Sequence, residues 1–101
     1  MNGNALVLSG VITARDALRH TPAGLPLLQL TLLHQSQQME AGQPFRTELE
    51  IEVQVLGQAA EALDRQATGT RISVKGFLAR KSRNSRMLVI RTEQFKLIDG
   101  D

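Results

Sequence analysis

Residues 47–56, TELEIEVQVL, alternate polar and apolar side chains without a break. Glu48, Glu50, Glu52 and Gln54 leave one way, and Leu49, Ile51, Val53 and Val55 leave the other. A repeat of two is the repeat of an extended strand, whereas a helix would smear both sets around its axis. The segment is therefore a half-buried strand whose apolar face needs a sheet and a core to cover it. With 101 residues the chain is expected to be one domain, residues 1–101, built around one core. A composition of 42% hydrophobic and 22% charged residues is that of a folding chain and too apolar for a disordered one.

Other segments read the same way. ALVLSGVITAR, residues 5–15, and LLQLTLLHQ, residues 27–35, are rich in apolar and β-branched residues. HTPAGLP separates them, and its Pro22, Gly24 and Pro26 mark a turn. RISVKGFLA, residues 71–79, and MLVIRTEQFKLI, residues 87–98, supply two more strands, and Gly76 predicts a bulge or bend where the sheet curls. Between the third and fourth strands, GQAAEALDRQATG, residues 57–69, sets Ala60, Leu63 and Ala67 at helical spacing and predicts a short helix. The predicted fold is all-β: a five-stranded OB barrel with a short helix between strands three and four. In that fold the connection between strands four and five flanks an oligonucleotide groove.

That connection is where the positive charge lies. FLARKSRNSRMLVIR, residues 77–91, carries Arg80, Lys81, Arg83 and Arg86 within seven positions and no acid. Residues 66–92 hold seven cations and no Asp or Glu, while Glu48, Glu50, Glu52, Glu61 and Asp64 crowd residues 48–64. The formal net charge of +2 conceals a molecule with one acidic and one basic side. Each phosphate of a single strand neutralised by such a loop adds roughly −0.7 to the slope of log affinity against log salt. The alternative is a solvated loop that serves solubility; the acid-free run and its place in the barrel favour nucleic acid. Arg19, with Arg15, extends the basic rim around the first turn, or both are simply exposed. The acidic face of the third strand pairs with neighbouring cations and would repel a phosphate backbone.

Base stacking has little to draw on, because the chain has Phe45, Phe77 and Phe95 and no Trp or Tyr. Phe45 is expected in a loop between strands two and three, EAGQPFRTE, with Arg46 beside it. It is the best stacking candidate, with packing of the hairpin as the alternative. Phe77 shares strand parity with Arg71, Ser73 and Lys75, opposite Ile72, Val74 and Leu78, which assigns it with Lys75 to the groove face; the alternative is a core position at the barrel's end. Phe95 is expected to pack.

The absence of cysteine excludes disulfides, zinc thiolates and thiol chemistry and fits the reducing cytosol. The start Met-Asn-Gly-Asn has no basic leader region, and no apolar run approaches the roughly twenty residues that span a bilayer, so a cytoplasmic protein without a membrane partner is expected. His20 and His34 lie fourteen positions apart with no carboxylate at ligand spacing, and both are expected at the surface. No nucleophile with a base and no phosphate-binding glycine loop is present, so neither catalytic residues nor a metal or cofactor are expected.

LVLSGVI, TPAGLPLLQLTLLHQSQQMEAGQ, GTRISVKGFLARKS and EQFKLID resemble, nearly end to end, the primosomal replication protein N family, PriB. That family is itself similar to the OB domain of bacterial single-stranded DNA-binding proteins, whose Leu-Xaa-Gly first strand and Gly-Thr-Arg-Ile-Xaa-Val-Xaa-Gly fourth strand recur here. A stop at Ile98-Asp99-Gly100-Asp101 is expected of PriB, since the single-stranded DNA-binding proteins continue into a long tail with an acidic end. The resemblance implies a homodimer that binds single-stranded DNA and assists the PriA helicase at stalled forks, with DnaT as a further partner and no catalysis. It assigns Lys81, Arg83 and Arg86 to the positions of DNA-contacting lysines and pairs the dimer through the first strand near Ala5 and Val7. It also sets Glu48 where a stronger binder carries an exposed tryptophan. The competing reading, fed by the missing aromatics, is an OB-shaped protein-interaction module with weak nucleic-acid affinity.

Overall fold

The alternating segment is the second half of a longer strand. In a computed structural model that describes residues 3–98, the strands are β1 (Leu6–Arg15), β2 (Arg19–His20), β3 (Pro26–Glu40), β4 (Gln43–Leu56), β5 (Arg71–Arg80) and β6 (Leu88–Leu97), with helix α1 (Gln58–Leu63) between β4 and β5. Asp99, Gly100 and Asp101, in the closing segment, lie outside the described residues.

Five of these strands close a ring in the order β1, β5, β6, β4, β3, with β1 returning to β3. The pairings are antiparallel except that of β4 with β6. This is the expected OB barrel with its helix in the expected place. β2 is an addition within the expected turn: two residues that pair only with Leu27 and Pro26 of β3.

Two irregularities bend the sheet into a barrel. β1 pairs with β5 through residues 6–11 and with β3 through residues 11–15, and its register slips between Ile12 and Ala14. On the other side, Lys75 faces Gln94 but Gly76 faces Thr92, so Glu93 is the extra residue of a bulge. Gly76 is required by close approach, since a Cβ there would collide with the carbonyl oxygen of Arg91.

Inside the ring, Ile12, Leu28, Leu30, Leu32, Val53, Val55, Ile72, Val74 and Ile90 form the core, and Phe95 packs against it as expected. Each fully buried side chain of this size contributes about 1.5–3 kcal/mol. α1 closes the barrel by burying Ala60 and Leu63 against it. The helix is shorter than residues 57–69 and stops before Ala67. Arg15 explains the stop: its Nη1 donates to the carbonyls of Asp64 (2.7 Å) and Gln66 (2.9 Å), and its Nη2 pairs with the Asp64 carboxylate. Carbonyls that a longer helix would satisfy internally are instead satisfied by a cation from β1. Arg15 is thus a helix cap rather than part of a basic rim.

Two other expectations are corrected. Phe45 and Arg46 stand in strand β4, paired with Gln38 and Gln37, not in a loop. The turn is only Ala41 and Gly42, whose φ values of 51° and 80° are both positive, as a two-residue hairpin turn with strand-matched twist requires. Leu78 keeps the expected inward parity of β5, opposite the buried Ile90, and is 37% exposed near the strand's end. His34 is half-buried between strands, its Nδ1 2.7 Å from the Ser9 carbonyl and its Nε2 2.7 Å from Ser36 Oγ.

Candidate nucleic-acid interface

The basic connection, residues 81–87, is held by its own hydrogen bonds. The Lys81 N–H donates to the Met87 carbonyl (2.8 Å), the Ser85 N–H to the Ser82 carbonyl (3.2 Å) and the Met87 N–H to Ser85 Oγ (3.0 Å). Arg83 and Arg86 are exposed on this loop, and Arg80 is the exposed last residue of β5 opposite Leu88.

The loop stands over the outward faces of β3 and β4. Between them runs an open groove with Arg19 and Thr21 on one rim, Lys81, Ser82 and Ser85 on the other, and Leu27, Gln29, Gln54, Leu56 and Arg91 along its floor. Strand parity brings the floor together: Leu28, Val53 and Val55 point into the core, so Gln29 and Gln54, direct cross-strand partners, point out.

One carboxylate organises this surface. Glu52 Oε2 accepts from Gln29 Nε2 (3.0 Å) and from Gln54 Nε2 (3.4 Å), while its Oε1 lies 2.9 Å from Lys81 Nζ. With their amide nitrogens committed to Glu52, the two glutamines turn their oxygens to arginines. Arg19 Nη2 donates to Gln29 Oε1 and Arg91 Nη1 to Gln54 Oε1, each at 3.2 Å. Three cations from three parts of the chain are thus arranged around a central anion.

The expected site residues divide into two groups. Arg19 and Lys81 meet at the groove, with Arg83 and Arg86 on its loop. Phe77 lies beside it, half-buried in a recess shared with Gln54, Leu56 and Arg91. Lys75 does not join them: it faces Val7 across the outer surface of β1 and β5, near Phe95 and Lys96. Phe45 and Arg46 stand on the β3–β4 hairpin beyond the barrel, Phe45 roughly 30 Å from Gln54 at about 3.4 Å per residue along the strand. Ala5 is exposed just before β1, and Val7, on β1, is 65% exposed. Sequence reasoning did not single out Arg91, Gln29 or Gln54. The outward face of Gln54 is legible in the alternation of its strand, but its place beside Gln29 and Arg91 depends on the register of the sheet.

Comparison with known proteins follows the same lines. A family model described as "another single-strand binding protein family" matches residues 4–94. The replication restart protein PriB of Bordetella pertussis is 42% identical over 97 residues, covering 96% of this chain and 91% of that protein. This chain belongs to the PriB family. The solved structure of PriB from Ralstonia solanacearum superimposes with a TM-score of 0.85 at 36% identity, covering 93% of this chain and 96% of that one. The wild-type single-stranded DNA binding protein from Thermus aquaticus gives 0.77 at 31% identity, over 96% of this chain and 50% of that one. Membership in the PriB family and likeness to a single-strand binding protein agree with the resemblance read from the sequence. Among the described residues no helix is long and apolar enough to cross a membrane.

Proposed function

We propose that this chain is a single-stranded DNA-binding accessory protein of replication restart, acting in the cytoplasm without catalysis. The observation that carries the reading is the cationic loop 81–87 standing over an outward β3–β4 floor with Arg19 and Arg91 around it. Phosphates track the exposed Arg83 and Arg86, with Lys81 and Arg80 at the loop's root and Arg19 across the groove, and the loop contacts supply most of the affinity. Phe77 is the aromatic near enough to the groove to meet a base. The protein bridges DNA to the PriA helicase, with DnaT as a further partner, a reading that membership in the PriB family supports.

A homodimer completes the reading. Residues 6–10 of β1 pair with β5 on one side only, because β3 joins β1 from Val11 onward, and Val7 stands exposed beside that open edge. A second copy adding its own β1 there would cover both. Light scattering should return about twice the 11.1 kDa chain mass at micromolar concentration. A monomer mass would remove the dimer.

The interaction-module reading has one specific observation in its favour: Lys81, first in the loop, already holds a carboxylate. Fluorescence polarisation with labelled oligo-dT separates the two readings. Single-strand binding predicts saturable binding at low salt that weakens steeply at moderate salt; no binding at low salt leaves the interaction module.

A further inference from the structure

Glu48, Glu50 and Glu52 share the outward face of β4, yet their surroundings differ. Glu48 and Glu50 are exposed, whereas the Glu52 side chain is only 19% exposed and meets Gln29, Gln54 and Lys81. Its partner Lys81 remains 43% exposed, so an incoming anion can reach the ammonium from solvent.

We infer that Glu52 sets the affinity of this interface by occupying Lys81 as an internal counter-anion that a phosphate must displace. The inference rests on the single-strand-binding reading. A carboxylate and a phosphodiester compete for the same ammonium by the same charge-assisted hydrogen bonds. A strand that takes Lys81 exchanges one ion pair for another rather than gaining one. It also leaves Glu52 uncompensated beside a phosphate, since the two glutamine amides supply dipoles but no charge. Phosphates are therefore favoured at the exposed Arg83 and Arg86 and disfavoured on the floor, and binding stays weak and readily reversible. The bound Glu52 also holds the root of the loop on the floor in the absence of DNA.

The test is an oligo-dT titration of wild type, Glu52→Gln, Glu50→Gln, Lys81→Ala and the Glu52→Gln, Lys81→Ala double variant at several salt concentrations. Glu52→Gln should bind at least about fivefold tighter, with a salt slope steeper by about 0.7 because Lys81 gains a phosphate. Glu50→Gln removes the same charge from the same face without touching Lys81 and should change affinity less than about twofold, by screening of an exposed charge. In the Lys81→Ala background the gain from Glu52→Gln should likewise fall below about twofold, as coupling between two groups in contact requires. If wild type binds with a clear salt slope and Glu52→Gln binds no tighter, this inference is overturned while single-strand binding stands. Equal gains from Glu52→Gln and Glu50→Gln also overturn it, reducing Glu52 to one more negative charge. No binding by any of the proteins at low salt removes both. Should Glu52→Gln melt below the assay temperature, Glu52→Asp decides: it keeps the charge but shortens the reach to Lys81, a gain supports the inference, and none overturns it.

Discussion

β3 and β4 run through two surroundings. Over the barrel their alternation buries Leu28, Leu30, Leu32, Val53 and Val55, and their outward side chains build the groove. Beyond it, from the pair Gln35 and Glu48 to the turn at Ala41 and Gly42, the same ladder continues with nearly every residue exposed. The difference shows that backbone pairing and core burial are separable. A tight turn and cross-strand pairing carry the arm outward without a core, while the barrel half owes its stability to the apolar face.

Mutations should separate the two halves. The largest effect is expected at Leu32, which is fully buried: Leu32→Ala should cost about 2–5 kcal/mol. At about 4–8 °C per kcal/mol for a domain of this size, that is a fall in melting temperature of at least about 8 °C. Gly76→Ala comes next, because the new methyl must push β5 away from the Arg91 carbonyl; a loss of about 1–3 kcal/mol in denaturant unfolding is expected. The smallest effect belongs to the arm. Phe45 is 50% exposed, and Phe45→Ala should change stability by less than about 0.5 kcal/mol. It should also leave affinity for an oligo-dT of about ten nucleotides unchanged. A loss of about 1–3 kcal/mol in binding would instead make Phe45 a stacking platform and extend the interface onto the arm.

This division also decided what could be read from the sequence. The barrel half was legible because one face of each strand is apolar and the repeat of two is visible in it. In the arm, Gln35, Ser36, Gln37, Gln38, Met39 and Glu40 put polar groups on both faces, so Phe45 and Arg46 read as loop although they are paired strand. Arg15 and Arg19 look alike in the sequence, four positions apart on the same side of the first turn. Only tertiary contact separates them, Arg15 capping α1 and Arg19 reaching Gln29. Of the site, the basic loop and the outward acidic face of β4 were both legible, and of that face Glu52 pairs with a cation. That Glu52 takes Lys81 depends on how the loop lies over β4, which no local pattern encodes.

The central claim is that the loop over the barrel half binds phosphates, and the salt dependence of oligo-dT binding tests it most directly. Changing Lys81, Arg83 and Arg86 together to Ala should weaken binding at least about tenfold and flatten the log affinity against log salt slope by about 1.4, at roughly 0.7 for each of the phosphate contacts of Arg83 and Arg86, Lys81 being held by Glu52. A variant that stays folded and keeps both the wild-type affinity and the wild-type slope would contradict the account and move the site off the loop.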